Sequence, residues 1–356
     1  QLLRLNGGMI EVPCYRWKTL HAPRDRRPPY SGFYDRYCSS GFGPVEHLAF
    51  CRAAGLVGVV GLNKDESPED VADFVAYCNA AAGTPAGDRR ATDGHPEPLG
   101  LRYYQVGNES GVNAAYVEHF KRVAEAVWAV DPEVTLLPCG LTYGARADDD
   151  PKAGRTKYAA HRDLTRFVQA RGRRLIWDVH AFNKRDDPAE SYAGHLPGGI
   201  EFSRWLTRLE PELGPVPILV GEYNAGRFNF NRGLAHAVEL AQTHRAGEVV
   251  WGGAMPNVSQ PWDIYQTDWK AVLWTQGNLY YTGDRVWPQA AYYVQQMIAQ
   301  AWAPEVVRVE HTAAPRTLDV LAARSADRRK LVLRLVNLLP QPQTITLDLR
   351  GFRPAA

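Results

Sequence analysis

The sequence predicts an α/β protein built as a (β/α)8 barrel, its first strand missing or supplied differently, with a C-terminal antiparallel β-sandwich-type domain. Three observations carry this. From residue 1 to about 255, short apolar β-branched runs alternate with longer segments of helical period, as successive βα units do around a parallel sheet. No Gly-rich dinucleotide turn follows an early strand, which disfavours an open doubly wound sheet. Past a helix at 289–301 the period changes to two, the mark of antiparallel strands.

Seven strand candidates come in order, at 2–6, 56–62, 101–106, 134–138, 175–180, 216–221 and 249–253. An eight-stranded barrel then lacks only a strand ahead of Gln1. Helices are read between the strands at 44–54, 68–82, 114–130, 158–170 and 234–243. The start signals are good in Ser67-Pro68-Glu69-Asp70, where an N-cap serine precedes proline at the first helical position and two acids in the first turn. Stretches 84–98 and 145–155, rich in Gly, Pro, Asp and Arg, read as rim loops. The barrel is assigned to 1–288. The remainder, 289–356, comprises a helix at 289–301 and strands at 306–310, 317–322, 331–337 and 344–349, a portion of a sandwich rather than a closed one.

Composition bounds the function. Of 356 residues, 45% are hydrophobic and 22% charged, ordinary for a globular chain with a large core. Lys plus Arg number 41 against 39 Asp plus Glu, a net +2 with no basic stripe, so nucleic acid and anionic membranes are not expected partners. No apolar run reaches the length of a membrane span. Gln1 to Gly8 lack signal-peptide regions and enter a strand almost at once, so a natural N-terminus is expected to have been lost or processed. The compartment, cytoplasmic or secreted, stays open. The five cysteines, Cys14, Cys38, Cys51, Cys78 and Cys139, suit reduced core thiols, with a Cys14–Cys38 bridge left open. Metal-ligand spacings, a Walker loop and a dinucleotide fingerprint are absent, so no cofactor and no metal are expected. Ten Trp and 17 Tyr offer flat faces of the kind that stack on sugars.

Two acids at strand ends carry the chemistry. The run Tyr103-Tyr104-Gln105-Val106-Gly107-Asn108-Glu109 places Glu109 at the C-terminal rim, where barrel enzymes assemble their sites. Val216-Pro217-Ile218-Leu219-Val220-Gly221-Glu222 does the same for Glu222. Cleaving a glycosidic bond with retention requires two carboxylates about 5–5.5 Å apart, one protonated and one ionised. Strands on opposite sides of a barrel mouth supply that spacing, and the proximity of two like charges is expected to raise one pKa. Asn108 is placed to hold the hydroxyl beside the anomeric carbon.

The order of motifs resembles the clan of (β/α)8 retaining glycosidases, and within it glycoside hydrolase family 51, the α-L-arabinofuranosidases. The resemblance runs over nearly the whole chain. It is carried by Leu3-Arg4-Leu5-Asn6-Gly7-Gly8, Tyr15-Arg16-Trp17, Pro23-Arg24-Asp25-Arg26-Arg27-Pro28, Phe42-Gly43-Pro44-Val45-Glu46-His47-Leu48 and the 67–79 helix segment. It implies Glu109 as acid/base, Glu222 as nucleophile, Asn108 on the 2-hydroxyl and Arg4 beside the nucleophile. It also implies His180 as the strand 6 histidine, with Trp17 and Gln276 lining the sugar pocket and Tyr223 among the substrate-binding residues. Tyr223 follows the nucleophile where the family has Trp; Met9, Phe182 and Asn6 also depart from its pattern, so L-arabinofuranose is the default substrate rather than a deduction.

The implied partner is a carbohydrate of plant type. Homo-oligomers are common in the resembled family, but no interface is legible. The alternatives are a same-clan β-glycosidase or endo-glycanase acting on xylan or glucan, and a non-catalytic carbohydrate-binding barrel.

Overall fold

A computed structural model describes residues 1–33, 38–141, 158–183, 187–189, 199–201, 203–204, 207–208, 211–225, 229–255, 257–262 and 276–352. The 145–155 stretch read as a rim loop lies outside these residues. Seven parallel strands pair in sequence order: β1 (Leu2–Leu5), β2 (Val57–Gly61), β3 (Tyr103–Val106), β4 (Thr135–Leu141), β5 (Trp177–Asn183), β6 (Ile218–Ala225) and β7 (Val250–Gly253). All seven read from the sequence are present.

The sheet curls into a nearly closed barrel. One apolar floor gathers a side chain from, or next to, every strand: Leu2, Val59, Tyr103, Leu137, Ile176, Leu219 and Trp251. The Tyr103 and Trp251 rings, from β3 and β7, lie 4.6 Å apart. Leu2 of β1 reaches Gly252 of β7 so closely that a Cβ there would stand 2.4 Å from Leu2 Cδ2. Because side chains alternate faces along a strand, the residue two beyond each floor position also points inward. On β1, β3 and β5 those residues are Arg4, Gln105 and Asp178, and they stack a polar layer above the apolar one.

The helices are α1 (Pro44–Ala54), α2 (Pro68–Asn79), α3 (Pro85–Thr92), α4 (Ala114–Val130), α5 (Tyr158–Gln169), α6 (Phe230–Arg245) and α7 (Ala290–Gln300). The larger core lies between them and the outward strand faces, where Val71, Phe74, Val75 and Cys78 of α2 and Val117, Phe120, Val123 and Val127 of α4 meet Val60, Tyr104 and Leu136. Ser67 caps α2 by accepting from the Asp70 N–H at 3.0 Å. Cys51, Cys78 and Cys139 are buried thiols.

Three readings need correction. The 84–98 stretch is not a loop throughout: α3 begins on a Thr84 cap that accepts from the Gly87 N–H. Its buried Arg90 donates to the carbonyls of Tyr77, Ala80, His95 and Pro96, a tertiary anchor that composition does not reveal. Residues 344–349 form no strand, leaving a three-stranded antiparallel sheet of β11 (Glu305–Val307), β12 (Leu318–Arg324) and β13 (Leu331–Asn337). A second small sheet, β8 (Ser259–Pro261), β9 (Leu279–Tyr281) and β10 (Val286–Pro288), escaped the sequence because its strands are three residues each.

Candidate active site

Glu109, Glu222 and His180 converge at the barrel mouth. One carboxylate oxygen of each glutamate and a ring nitrogen of His180 all lie within 4.8 Å of one another. Each arrives there for a local reason.

Glu109 leaves β3 through Gly107, whose φ of +84° suits glycine; a Cβ there would sit 2.9 Å from Ser110 Oγ and 3.0 Å from Cys139 Sγ. Glu109 itself has φ of 46°, an uncommon conformation for a non-glycine residue and one that clusters at functional sites. Two braces hold the turn. Asn6 Nδ2 donates to the Gly107 carbonyl at 3.1 Å, and the Tyr116 hydroxyl of α4 donates to the Val106 carbonyl at 2.7 Å while accepting from the Cys139 N–H at 3.0 Å. Asn6, a departure from the resembled pattern, is therefore structural.

Glu222 owes its direction to an irregularity. Val179 pairs with Val220, but His180 pairs with Glu222, so Gly221 is an extra residue in β6. Strict alternation from the inward Leu219 would turn Glu222 outward and Tyr223 inward. The bulge reverses them. Only glycine fits at the bulge, since a Cβ would lie 1.9 Å from Asp178 Oδ1.

Arg4 ties the group together. Its Nη1 donates to Glu222 Oε1 at 2.9 Å, Nη2 to Asn108 Oδ1 at 2.9 Å and Nε to Gln105 Oε1 at 2.7 Å, with Nη2 3.7 Å from Asp178 Oδ2. His180 places Nδ1 2.9 Å from Glu109 Oε1 and 3.8 Å from Glu222 Oε2, and Nε2 3.0 Å from Asp178 Oδ2. Burial alone would push this imidazole down, but the charges of Asp178 and Glu222 and the bonds to Asp178 and Glu109 outweigh it and push it up to about 9. Burial would likewise raise Asp178, yet the charges of His180 and Arg4 and the bonds from His180 and Gln105 hold it below the usual carboxylate range. Glu109, His180 and Glu222 could also face a metal ion, but Arg4 already holds Glu222 and His180 already bridges Glu109 and Asp178, so the cluster is tied into an ion-pair network.

Of the residues singled out from the sequence, Arg4, Asn108, Glu109, His180 and Glu222 are brought together. Three are not. Trp17 is only 1% exposed, its ring packed against Phe74, Tyr77 and His21. Tyr223 faces the helices: its ring lies 5.4 Å from that of His236 and its hydroxyl accepts from Gln295 Nε2 at 3.1 Å. Gln276 is half-buried, with its backbone carbonyl held by Arg232 and its side chain 3.4 Å from Asn257 Nδ2. Met9 packs against the Ile10, Tyr15 and Leu20 cluster. The Phe182 side chain lies outside what is described. Sequence reading passed over Gln105 and Asp178, although a polar residue inside an otherwise apolar buried strand was a usable signal.

Known proteins resemble this chain to different degrees. The profile of the alpha-L-arabinofuranosidase 1 domain matches residues 1–186. Over 371 aligned residues the chain is 23% identical to a probable alpha-L-arabinofuranosidase A of Aspergillus oryzae, covering 97% of this chain and 52% of that protein. It is 22% identical over 326 residues to an extracellular exo-alpha-L-arabinofuranosidase of Streptomyces chartreusis, covering 87% and 36%. The alpha-L-arabinofuranosidase of Thermotoga maritima, solved with arabinose, superposes with a TM-score of 0.73 at 18% identity over 94% of this chain and 72% of that one, a likeness of fold. The chain spans about half the length, or less, of these two curated relatives. Since the profile covers more than half of its residues, and in the region where the motifs of glycoside hydrolase family 51 were read, the chain belongs to the alpha-L-arabinofuranosidase 1 domain family.

Proposed function

We propose that this chain is a retaining glycoside hydrolase that cleaves α-L-arabinofuranosides of plant-type polysaccharides or oligosaccharides by double displacement. The observation that carries the reading is the approach of a Glu109 oxygen to a Glu222 oxygen within 4.8 Å. Inverting enzymes hold their carboxyl groups about 6.5–9.5 Å apart to admit a water, whereas retaining ones hold them at about 5–5.5 Å. The substrate class is supported by the names of the relatives, all at low identity.

Glu222, held by Arg4, attacks the anomeric carbon as its bond to the leaving oxygen breaks. Glu109 gives that oxygen a proton. Glu109, now ionised, then takes a proton from water, which attacks the same carbon and frees Glu222. Arg4 fills the Oδ1 side of Asn108, which leaves the amide N–H groups to meet the sugar hydroxyl next to the reacting carbon. His180 orients Glu109, Gln276 lines the rim, and Trp17 and Tyr223 support the wall from behind. We assign residues 1–288 to the catalytic barrel and 289–356 to a C-terminal sandwich portion; Ala303, Leu321 and Ala323 packing on Ala241 of α6 supports a body that leans on the barrel.

The test is hydrolysis of aryl α-L-arabinofuranoside, β-D-xyloside and β-D-glucoside by wild type, Glu222→Ala and Glu109→Ala, the last with azide. The expected result is cleavage of the arabinofuranoside, its loss in Glu222→Ala, and a glycosyl azide of retained configuration from Glu109→Ala. Cleavage of the xyloside or glucoside instead replaces the substrate class, and cleavage of nothing sinks the enzymatic reading.

A further inference from the structure

Asp178 has no role in the chemistry described so far, yet it is almost completely buried beneath the site, and its partners form a chain along which the hydrogens can be traced. Arg4 Nε has nothing but a hydrogen to offer, so Gln105 must turn its Oε1 toward it, at 2.7 Å. That fixes the amide, and Gln105 Nε2 then donates to Asp178 Oδ2 at 2.5 Å. The charges of His180 and Arg4 and the bonds from His180 and Gln105 keep Asp178 ionised, so its Oδ2 only accepts and the His180 Nε2 that approaches it at 3.0 Å carries a hydrogen.

A neutral imidazole spends its one N–H on that contact. Its Nδ1 would then face Glu109 Oε1, 2.9 Å away, as a bare lone pair. The acid's proton would be drawn onto Oε1, toward His180 and away from the substrate. With an anionic Asp178 the imidazole is a cation, and Nδ1 carries a hydrogen as well. Oε1 then accepts, and the transferable proton of Glu109 is confined to Oε2, which makes no hydrogen bond among the described residues.

Resting on the retaining-hydrolase reading above, we infer that Asp178 is a positioning residue that acts through His180 to decide which oxygen of Glu109 carries the catalytic proton. Among the described residues, charged groups face His180 from several elements. Glu222 on β6 and Glu109 beyond β3 favour the cation, while Arg4 on β1, with Nη2 3.4 Å from His180 Nε2, opposes it. Burial opposes it too. Asp178 is the carboxylate whose charge overcomes both. In the second half-reaction the same Nδ1–H steadies Oε1 of the ionised Glu109, so Oε2 receives the proton of the attacking water. No proton leaves His180 in either step.

Asp178→Asn keeps the shape and the acceptor but removes the charge. Against an α-L-arabinofuranoside with an alkyl leaving group, which needs a proton, kcat/KM should fall by about 10²–10⁴-fold, the usual contribution of general acid catalysis. Against a dinitrophenyl arabinofuranoside, whose leaving group needs none, the loss should stay within about 10-fold. A merely structural defect lowers both equally, and that result overturns the inference. A second readout does not depend on turnover: in an imidazole titration by NMR, His180 should move from about 9 to below the value of a free imidazole in Asp178→Asn. An unmoved His180 also overturns it. Should wild type cleave no glycoside, the functional reading falls, while the titration still decides whether Asp178 holds the proton on His180.

Discussion

Replacing Gly221 with alanine tests the bulge that aims Glu222. The new Cβ would stand 1.9 Å from Asp178 Oδ1 and 3.3 Å from Arg4 Nε. A carbon–oxygen contact needs about 3.3 Å, so the two must separate by roughly 1.4 Å. Asp178 has no cheap retreat, because turning its carboxylate displaces Oδ2 from Gln105 and His180. Overpacking costs about 1–3 kcal/mol, and losing a hydrogen bond to a buried charge adds about 1.5–3 kcal/mol, so Gly221→Ala should destabilise by about 3–5 kcal/mol. At roughly 2 °C per kcal/mol for a chain of this size, thermal unfolding by circular dichroism should shift down by about 6–10 °C. Activity should fall with it, since Glu222 rotates with the bulge. Gly283→Ala is the control: nothing lies within 4 Å of its added Cβ, and melting should be unchanged. A Gly221→Ala protein that melts with wild type and turns over normally would refute the claim that close approach dictates this glycine.

Other perturbations probe the same framework. Arg4→Met leaves the Glu222 and Asp178 carboxylates without their guanidinium; breaking such a buried pair costs about 3–5 kcal/mol, to be read in urea unfolding together with loss of turnover. His180 binds its proton more tightly when folded, so its contribution is complete below about pH 6.5 and is lost as pH rises through about 9. Denaturant melts across that window should show wild type losing more stability than His180→Gln, and parallel curves would contradict the assignment of the cation. Ser67→Ala removes the cap on α2 and should cost about 1 kcal/mol without touching turnover; a melt unchanged from wild type would mean that the hydroxyl does not cap.

The barrel was legible because each of its strands repeats one pattern and each helix between them buries a face of helical period. What escaped did so for identifiable reasons. The α3 helix depends on Arg90 reaching four carbonyls outside its own turn, a distant arrangement that outweighs the local preferences of a Gly- and Arg-rich segment. The strands β8 to β10 are three residues long, shorter than any window over which alternation can be recognised. The opposite error occurred at 344–349, where alternating Thr, Ile and Leu suggested a strand; Ile345 and Leu347 remain exposed and pair with nothing in the three-stranded sheet.

The site divides along the same line. Glu109 and Glu222 are visible at strand ends, and Arg4, Gln105 and Asp178 follow from alternation once the floor residues are known. Tyr223 is the instructive failure. Counting by two from Leu219 puts it in the pocket, and only the register shift at Gly221 sends it to the helices and brings Glu222 inward. The reason the extra residue is a glycine is not written in β6. It lies in Asp178 of the neighbouring strand, whose carboxylate occupies the space a side chain at 221 would need. The glycine before Glu222, the buried aspartate two residues before His180 and the direction of the nucleophile are one constraint distributed over two strands. A residue-by-residue reading finds each part of it, but only the packed barrel shows that none of the three can change alone.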